Sequence, residues 1–189
     1  MEEKFSFLGY TDFNPTSLDL PYLGKDEAVL TYSPLEITLI NGIGSTVLPI
    51  ERCKIYRKFK ELGYSFYSVI HSGAILSPTV HLSEGVQIMA GVILNAKVFI
   101  GENTILNTGA IVDHDGIIGA HTHIAPRATI SGGVKIGEGC HIGTGATLIQ
   151  GITIGSSTLI GAGSVVLNNM EPYSKVIGSP AKVVERWKP

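Results

Sequence analysis

Every sixth residue from Leu76 to Val166 is aliphatic. All sixteen positions of this series are Leu, Ile or Val, namely Leu76, Leu82, Ile88, Leu94, Ile100, Leu106, Val112, Ile118, Ile124, Ile130, Ile136, Ile142, Leu148, Ile154, Ile160 and Val166. An α-helix repeats every 3.6 residues and cannot hold side chains spaced by six on one stripe. The period therefore indicates short strands joined by corners, three to a coil of about 18 residues, which is a parallel β-helix of about five coils.

A second series lies two positions before each aliphatic residue. Its members are mostly small or β-branched: Val80, Val86, Val92, Val98, Thr104, Ala110, Gly116, Thr122, Ala128, Val134, Cys140, Ala146, Ile152, Thr158 and Ser164. We predict that these side chains also point inward, where there is less room. The residue just after the aliphatic is often Gly or Asn, as in Asn95, Gly101, Asn107, Gly119, Gly137, Gly143, Gly155 and Gly161. Because these residues tolerate a positive φ, we expect the turn there.

The segments on either side of the repeat follow other patterns. FSFLGYTD and LEITLINGIG resemble short strands, IERCKIYRKFKELG has helical spacing and a terminal Gly, and YSFYSVIHSGA is typical of a strand leading into the repeat. We predict a small α/β domain over residues 1–70, the repeat domain over 71–168, and a tail over 169–189 that packs on the last coil. The general rule for parallel crossovers predicts that the coils wind in a right-handed direction.

Composition excludes several classes of function. The formal net charge is −2 with charges scattered along the chain, so we expect neither nucleic-acid binding nor a polybasic membrane patch. The start MEEKFSFLGY lacks the pattern of a signal peptide, and no apolar run approaches the roughly 18 residues of a membrane span. We expect a cytoplasmic protein without membrane insertion. Two cysteines are too few for a disulfide framework.

The stretch AIVDHDGIIGAHTHIAPRATISGG carries the candidate chemistry. His114 lies two places after the inward Val112, so the corner should turn it outward. An imidazole is suited to general-base catalysis near neutral pH. A carboxylate on its Nδ1 would fix the tautomer and stabilise the imidazolium, and either Asp113 or Asp115 could do so. We therefore interpret His114 as a base.

Three segments together resemble the hexapeptide-repeat acyltransferases, namely LNTGAIVDHDGIIG, HTHIAPRATISGG and VIGSPAKVV. The likeness covers residues 72–184. Within that family the chain is most similar to the sialic acid O-acetyltransferase and bacillosamine or perosamine N-acetyltransferase group. The resemblance implies a left-handed β-helix and a homotrimer with active sites between subunits. It also implies acetyl-CoA in the groove between neighbouring helices and a nucleotide-linked sugar as acceptor, with no metal. The family's opening strand and GxGGHG-like loop are absent, so the α/β domain is expected to be a shortened nucleotide-sugar-binding one.

The resemblance also implies site residues. It makes His114 the base and His123 a contact of acetyl-CoA, and it brings the adenine end of CoA near Gly178, Ser179 and Pro180. The coil length adds that Gly132 stacks on His114, leaving room for a thioester and offering a backbone N–H to the oxyanion. The stacking of Gly143 and Gly161 keeps an edge narrow for a pantetheine arm. The predicted cofactor contacts are His123, Gly132, Gly143, Thr144, Gly161, Ala162, Gly178 and Pro180, and Asn107 is the predicted substrate contact.

We interpret the chain as an acetyl-CoA-dependent acetyltransferase that N-acetylates an amino sugar nucleotide in surface glycan biosynthesis. O-acetylation of sialic acid or a related sugar is the alternative, since both reactions use the same base. A zinc β-helix carbonic anhydrase needs two ligands five residues apart, a spacing that no His pair has, and HTH lacks a third ligand. A non-catalytic scaffold would leave DHD and SGG without a purpose.

Overall fold

The computed structural model describes residues 6–188, so the first five residues and the last residue of the predicted domains lie outside it. The chain divides into two compact units, one ending at Thr38 and the other beginning at Leu39. The domain boundaries predicted above remain predictions. In the first unit, β1 (Tyr10–Thr11) pairs in parallel with β2 (Tyr22–Gly24), and a 3₁₀ helix follows at Asp26–Thr31.

The second unit starts with the segment that leads into the coils. The strand β3 (Thr38–Leu39) spans the division between the units, and α1 (Ile50–Glu61) and β4 (Ser65–Phe66) follow it. The helical spacing predicted for this segment is confirmed, because α1 buries Arg52, Tyr56 and Phe59, which lie three or four residues apart on one face. The helix ends before Gly63, whose φ of +88° is typical of a helix C-terminus.

Seventeen two-residue strands then wind into just under six coils. They are β5 (Val69–Ile70), β6 (Ile75–Leu76), β7 (His81–Leu82), β8 (Gln87–Ile88), β9 (Ile93–Leu94), β10 (Phe99–Ile100), β11 (Ile105–Leu106), β12 (Ile111–Val112), β13 (Ile117–Ile118), β14 (His123–Ile124), β15 (Thr129–Ile130), β16 (Lys135–Ile136), β17 (His141–Ile142), β18 (Thr147–Leu148), β19 (Thr153–Ile154), β20 (Leu159–Ile160) and β21 (Val165–Val166).

Every third strand joins the same parallel sheet. Sheet 1 contains β5, β8, β11, β14, β17 and β20, sheet 2 contains β6, β9, β12, β15, β18 and β21, and sheet 3 contains β7, β10, β13, β16 and β19. We call the corners between them corner 1–2, corner 2–3 and corner 3–1, in chain order. After the coils, β22 (Ser174–Gly178) extends sheet 1 beside β20, and β23 (Ala181–Arg186) pairs antiparallel with β22.

The core is the inside of the triangle. From Ile88 to Val166 the aliphatic series is at most 2% exposed, and the smaller series is also buried from Val86 to Ser164. Leu76 and Leu82, in the first coil, pack against this core while partly buried. Both predicted inward series are therefore confirmed.

The mainly β fold, a left-handed parallel β-helix, is confirmed. The right-handed preference derives from twisted strands that feed a crossover. A strand of two residues accumulates little twist, so the preference for a right-handed crossover is weak in this fold.

The expected place of the turn is wrong. Positive φ recurs at every sixth residue from Gly85 to Gly163, three positions after each aliphatic residue rather than one. The glycines that directly follow the aliphatic series are required for a different reason. A Cβ on Gly119 or Gly143 would lie 2.5 Å from backbone atoms of the next coil. Glycine at this position therefore allows the coils to stack closely.

Candidate active site

The DHD corner brings its three side chains into two separate hydrogen-bonded contacts. Asp115 Oδ2 lies 2.8 Å from His114 Nδ1. Asp113 Oδ1 instead accepts the backbone N–H of His114 at 2.8 Å and an amide N–H of Asn95 at 2.8 Å. The two aspartates, which are equivalent in the sequence pattern, therefore differ in geometry: Asp115 orients the imidazole and Asp113 holds the backbone of the corner.

The charges around His114 favour its protonated form. The hydrogen bond to Asp115 and then the charge of Asp113 raise the pKa of His114. The hydrogen bonds from the His114 backbone and from Asn95 lower the pKa of Asp113. The His114 side chain is 62% exposed, so it points outward at corner 2–3 as expected. Its Nε2 makes no hydrogen bond to residues 6–188 and can accept a proton.

The local backbone explains how the corner holds this shape. Asp115 occupies the left-handed position with φ of 57°, which Asp tolerates better than most residues. Gly116 follows at an inward position, where a Cβ would lie 2.7 Å from Val112 Cγ1. The corner can therefore turn tightly over the core because it ends on Gly116.

Gly132 lies against the ring of His114. A Cβ on Gly132 would be 2.6 Å from His114 Nε2 and 2.7 Å from Cε1. The space that we predicted for a thioester is thus filled by the imidazole itself. The proposed cofactor contact of Gly132 stays a prediction, and the structure adds a direct role, which is to admit the ring.

A groove of about 370 Å³ runs along sheet 1 and corner 1–2. It collects six of the predicted contacts, namely Asn107, His123, Gly143, Thr144, Gly161 and Ala162. The sequence reasoning missed the other lining residues, which are Ser45, Thr46, Ala125, Pro126, His141, Leu159 and Ile160. The 18-residue stacking already places His141 beside His123, although His141 was not among the predicted contacts, and it could also have found Leu159, since both follow His123 in the same sheet. Ser45 and Thr46 precede the repeat and carry no such signal.

His123 is buried in this groove and is held on both ring nitrogens. Ser45 Oγ lies 2.8 Å from Nδ1, and Asn107 Nδ2 lies 3.3 Å from Nε2. Burial, with the nearby His141, lowers the pKa of His123 to about 4. His141 stacks edge-on at 5.0 Å between ring centroids, and burial lowers its pKa too. Both rings are therefore neutral near pH 7.

The remaining predicted contacts lie elsewhere. Gly178 ends β22, Pro180 lies in the turn before β23, and neither lines the groove. His114 lies at corner 2–3, whereas the groove lies at corner 1–2, so sheet 2 separates them within one chain. His114 and the groove thus lie at opposite ends of the strands of sheet 2.

One cluster of metal-type ligands occurs among residues 6–188, and it is formed by Cys53, His121 and Glu138. Its geometry does not favour a metal. Asn103 Nδ2 lies 3.0 Å from His121 Nδ1, so Nδ1 accepts and the neutral ring carries its proton on Nε2, the atom that faces Glu138. Arg57 already pairs with Glu138 at 2.5 Å.

The chain resembles several proteins of known structure. The profile of the bacterial transferase hexapeptide (six repeats) family matches residues 115–150 and 133–168. PerB from Caulobacter crescentus, in complex with CoA and GDP-perosamine, is 40% identical with a TM-score of 0.87, over 93% of this chain and 84% of that one. A variant of perosamine N-acetyltransferase from the same organism, in which one histidine is replaced by asparagine, was solved with the same ligands. It is 39% identical with a TM-score of 0.85, over 91% of this chain and 81% of that one.

A further relative is the acetyltransferase domain of PglB from Neisseria gonorrhoeae FA1090 in complex with acetyl coenzyme A. It is 32% identical with a TM-score of 0.86, over 92% of this chain and 84% of that one. No curated protein sequence matches the chain. No helix within residues 6–188 has the length and apolar character needed to cross a membrane.

The left-handed parallel β-helix and the likeness to these relatives identify a transferase of the hexapeptide-repeat class. The chain belongs to the bacterial transferase hexapeptide family, and it is an acetyltransferase of that family. The non-catalytic scaffold is therefore wrong, and the carbonic anhydrase alternative is not retained.

Proposed function

We propose that the protein transfers the acetyl group of acetyl-CoA to the amino group of a nucleotide-linked amino sugar, in the biosynthesis of surface glycans. The observation that carries the proposal is the pair formed by His114 and Asp115, with Nδ1 bound to the carboxylate at 2.8 Å and Nε2 facing outward. The relatives that bind CoA with GDP-perosamine, or acetyl coenzyme A, support the choice of donor and acceptor.

His114 acts as the general base. Its Nε2 takes a proton from the amine as the nitrogen attacks the thioester carbonyl carbon, and Asp115 stabilises the imidazolium that forms. The tetrahedral intermediate collapses with cleavage of the C–S bond. The CoA thiolate that leaves takes the proton from His114, so the products are the amide and free CoA. No covalent acetyl-enzyme is needed, because a thioester is already activated and a positioned amine attacks it directly.

The groove at corner 1–2 suits the donor. Part of its floor is made of small residues, since Gly143 and Gly161 have no side chains and Ala125 and Ala162 add little bulk. A narrow, extended chain such as a pantetheine arm fits such a floor, while the neutral rings of His123 and His141 supply polar contacts. Thr144 lies at the same edge. We propose that these residues hold acetyl-CoA.

Base and groove come together when one copy's corner 2–3 meets the next copy's corner 1–2. The outward residues of sheet 2 suit such packing, because they form an uncharged aliphatic and threonine ladder: Ile75, Ile93, Ile111, Thr129, Thr147 and Val165. The equivalent ladder of sheet 3 includes Lys135 and His81. With sheet 2 turned to a threefold axis, each neighbouring pair of corners completes one site. We therefore propose a homotrimer with active sites between subunits, acting in the cytoplasm, where acyl-CoA and nucleotide sugars are made.

The test is thiol release from acetyl-CoA in the presence of GDP- and UDP-linked amino sugars, matched sugars that carry a hydroxyl in place of the amine, and free sialic acid. We expect release only with an amino sugar nucleotide, with the acetyl group found on nitrogen by mass spectrometry. His114→Ala is the control, and it should abolish release without changing the fold. If thiol is released only with the sugars that carry a hydroxyl, the reaction is O-acetylation rather than the proposed N-acetylation. Acetyl-CoA binding without transfer to any sugar would overturn the proposed acceptor.

A further inference from the structure

Ser45 reaches the groove from outside the repeat. It lies in the segment between β3 and α1, which is held in place by the buried Arg52: Nη1 donates to the carbonyl oxygens of Asn41 at 2.6 Å and Ile43 at 2.8 Å. Gln87 Nε2 donates to the same Asn41 carbonyl at 2.6 Å. The Ser45 hydroxyl thus approaches His123 from a backbone that other residues fix.

The contacts of His123 determine which nitrogen carries its proton. Thr108 donates its backbone N–H to Asn107 Oδ1 at 2.7 Å, which sets the orientation of the Asn107 amide. The amide group facing His123 Nε2 is therefore Nδ2, which can only donate. Nε2 must accept, so a neutral His123 carries its proton on Nδ1 and donates it to Ser45 Oγ at 2.8 Å.

This tautomer is not the one that a free imidazole side chain prefers in water, which carries the proton on Nε2. Asn107 and Ser45 together therefore favour a state that the ring would otherwise populate less, because Asn107 can only donate to Nε2 and Ser45 Oγ accepts the proton on Nδ1. As a result, the side of His123 that faces Asn107 and the groove presents a lone pair. The contact from Asn107 is long at 3.3 Å, so a shorter N–H donor can share or replace it.

We infer that Ser45 is a positioning residue that, together with Asn107, holds His123 in the Nδ1–H tautomer, so that the groove offers a hydrogen-bond acceptor to an amide N–H of the pantetheine arm of acyl-CoA. The inference rests on the proposed donor for the identity of the ligand, although the tautomer itself does not depend on it. It also implies that His123 does not donate to the thioester carbonyl, since its groove-side nitrogen has no proton.

The tautomer is measured by long-range ¹H–¹⁵N correlation on protein labelled with ¹⁵N-histidine near pH 7, where His123 is neutral. His123→Gln assigns its signals among the six histidines. In the wild type we expect protonated Nδ1 and unprotonated Nε2. Ser45→Ala should shift the population toward Nε2–H, Ser45→Thr should restore Nδ1–H, and Thr46→Val, which alters a neighbouring groove residue, should leave the tautomer unchanged. A wild-type ring with Nε2–H, or no change in Ser45→Ala, overturns the inference.

The proposed role of His123 as an acceptor for the pantetheine arm is tested with acetyl-CoA and with an analogue in which an ester replaces the pantetheine amide. Ser45→Ala should raise KM for acetyl-CoA roughly five- to tenfold with a smaller change in kcat, the scale of one lost hydrogen bond. When the ester replaces the amide whose N–H faces His123, binding to the wild-type protein should weaken by a similar factor. Binding of the same analogue to Ser45→Ala should weaken much less. Equal weakening in both would refute the acceptor role. If the protein does not bind acetyl-CoA at all, the proposed function fails while the NMR result on Ser45 stands.

Discussion

Gly132→Ala should inactivate the enzyme through His114 while leaving the fold intact. A Cβ at residue 132 would lie 2.6 Å from His114 Nε2 and 2.7 Å from Cε1. Ordinary van der Waals contact begins near 3.4 Å, so the ring must move by roughly 1 Å, and a displacement of that size can cost about 10²-fold in rate. We therefore expect kcat to fall by about two orders of magnitude.

The backbone at this position does not itself require glycine. Residue 132 lies two places after an aliphatic residue of the repeat, and the same place in other hexads is taken by Ala90, Ala96, Ala120 and Ala162. Gly132 also lacks the positive φ of its neighbour Gly133. The free energy of unfolding of Gly132→Ala should therefore change by no more than about 0.5 kcal/mol. Thermal unfolding checks this expectation.

A double-mutant cycle separates two roles of Gly132. If Gly132 serves only to admit the ring, adding Gly132→Ala to His114→Ala should lower neither the residual rate nor acetyl-CoA affinity any further. If Gly132 leaves room for the thioester, the second substitution should still weaken acetyl-CoA binding in the absence of the imidazole. Steady-state kinetics and calorimetry of the four proteins decide between the two. Full activity of the single variant would refute the reasoning altogether.

Three further predictions follow from charge and packing. Asp115→Asn removes the main cause of the raised His114 pKa, so kcat should fall and its acidic limb should move to lower pH in a pH–rate profile. The His123 pKa of about 4 lies below its unfolded value near 6.5, so the unfolded state binds more protons between these pH values. Stability should rise with pH across that window by up to about 3 kcal/mol, and His123→Gln should flatten the rise in denaturant titrations at several pH values. Ile111→Asp, on sheet 2, should give monomers in light scattering. Ile117→Asp is the control on sheet 3, where Ile117 is 42% exposed, and it should leave the oligomer intact. Equal behaviour of the two variants would count against sheet 2 as the interface.

The fold was predictable because each hexad repeats the same physical requirement. An aliphatic residue and a smaller one must fill a triangular interior of constant width, so the two series could be read directly and are buried as expected. The place of the turn was not predictable in the same way, because glycine is used for two purposes. At Gly143 it permits close stacking, and at Gly133 it permits a positive φ, and composition alone does not distinguish them.

The candidate site was predictable where it depended on the repeat. A coil of 18 residues relates His114 to Gly132 and His123 to His141, and the structure has these pairs in adjacent coils. Contacts from outside the repeat carried no such signal. Ser45 is 78 residues from His123 in sequence and reaches it only because a helix and a buried arginine hold the connecting segment.

The coil also explains why function can be recognised in so regular a sequence. Gly132 is a glycine where the backbone accepts a side chain, and Asp115 occupies a left-handed position that other hexads fill either with glycine, as at Gly133, or with a residue such as Lys97 or Arg127. A non-glycine residue there costs conformational energy, although less for Asp than for most residues. Gly132 and Asp115 both lie against the same ring, since Gly132 admits His114 and Asp115 binds its Nδ1. Two residues that the coil does not require, and that serve one histidine, are more readily explained by catalysis at His114 than by the stability of the fold.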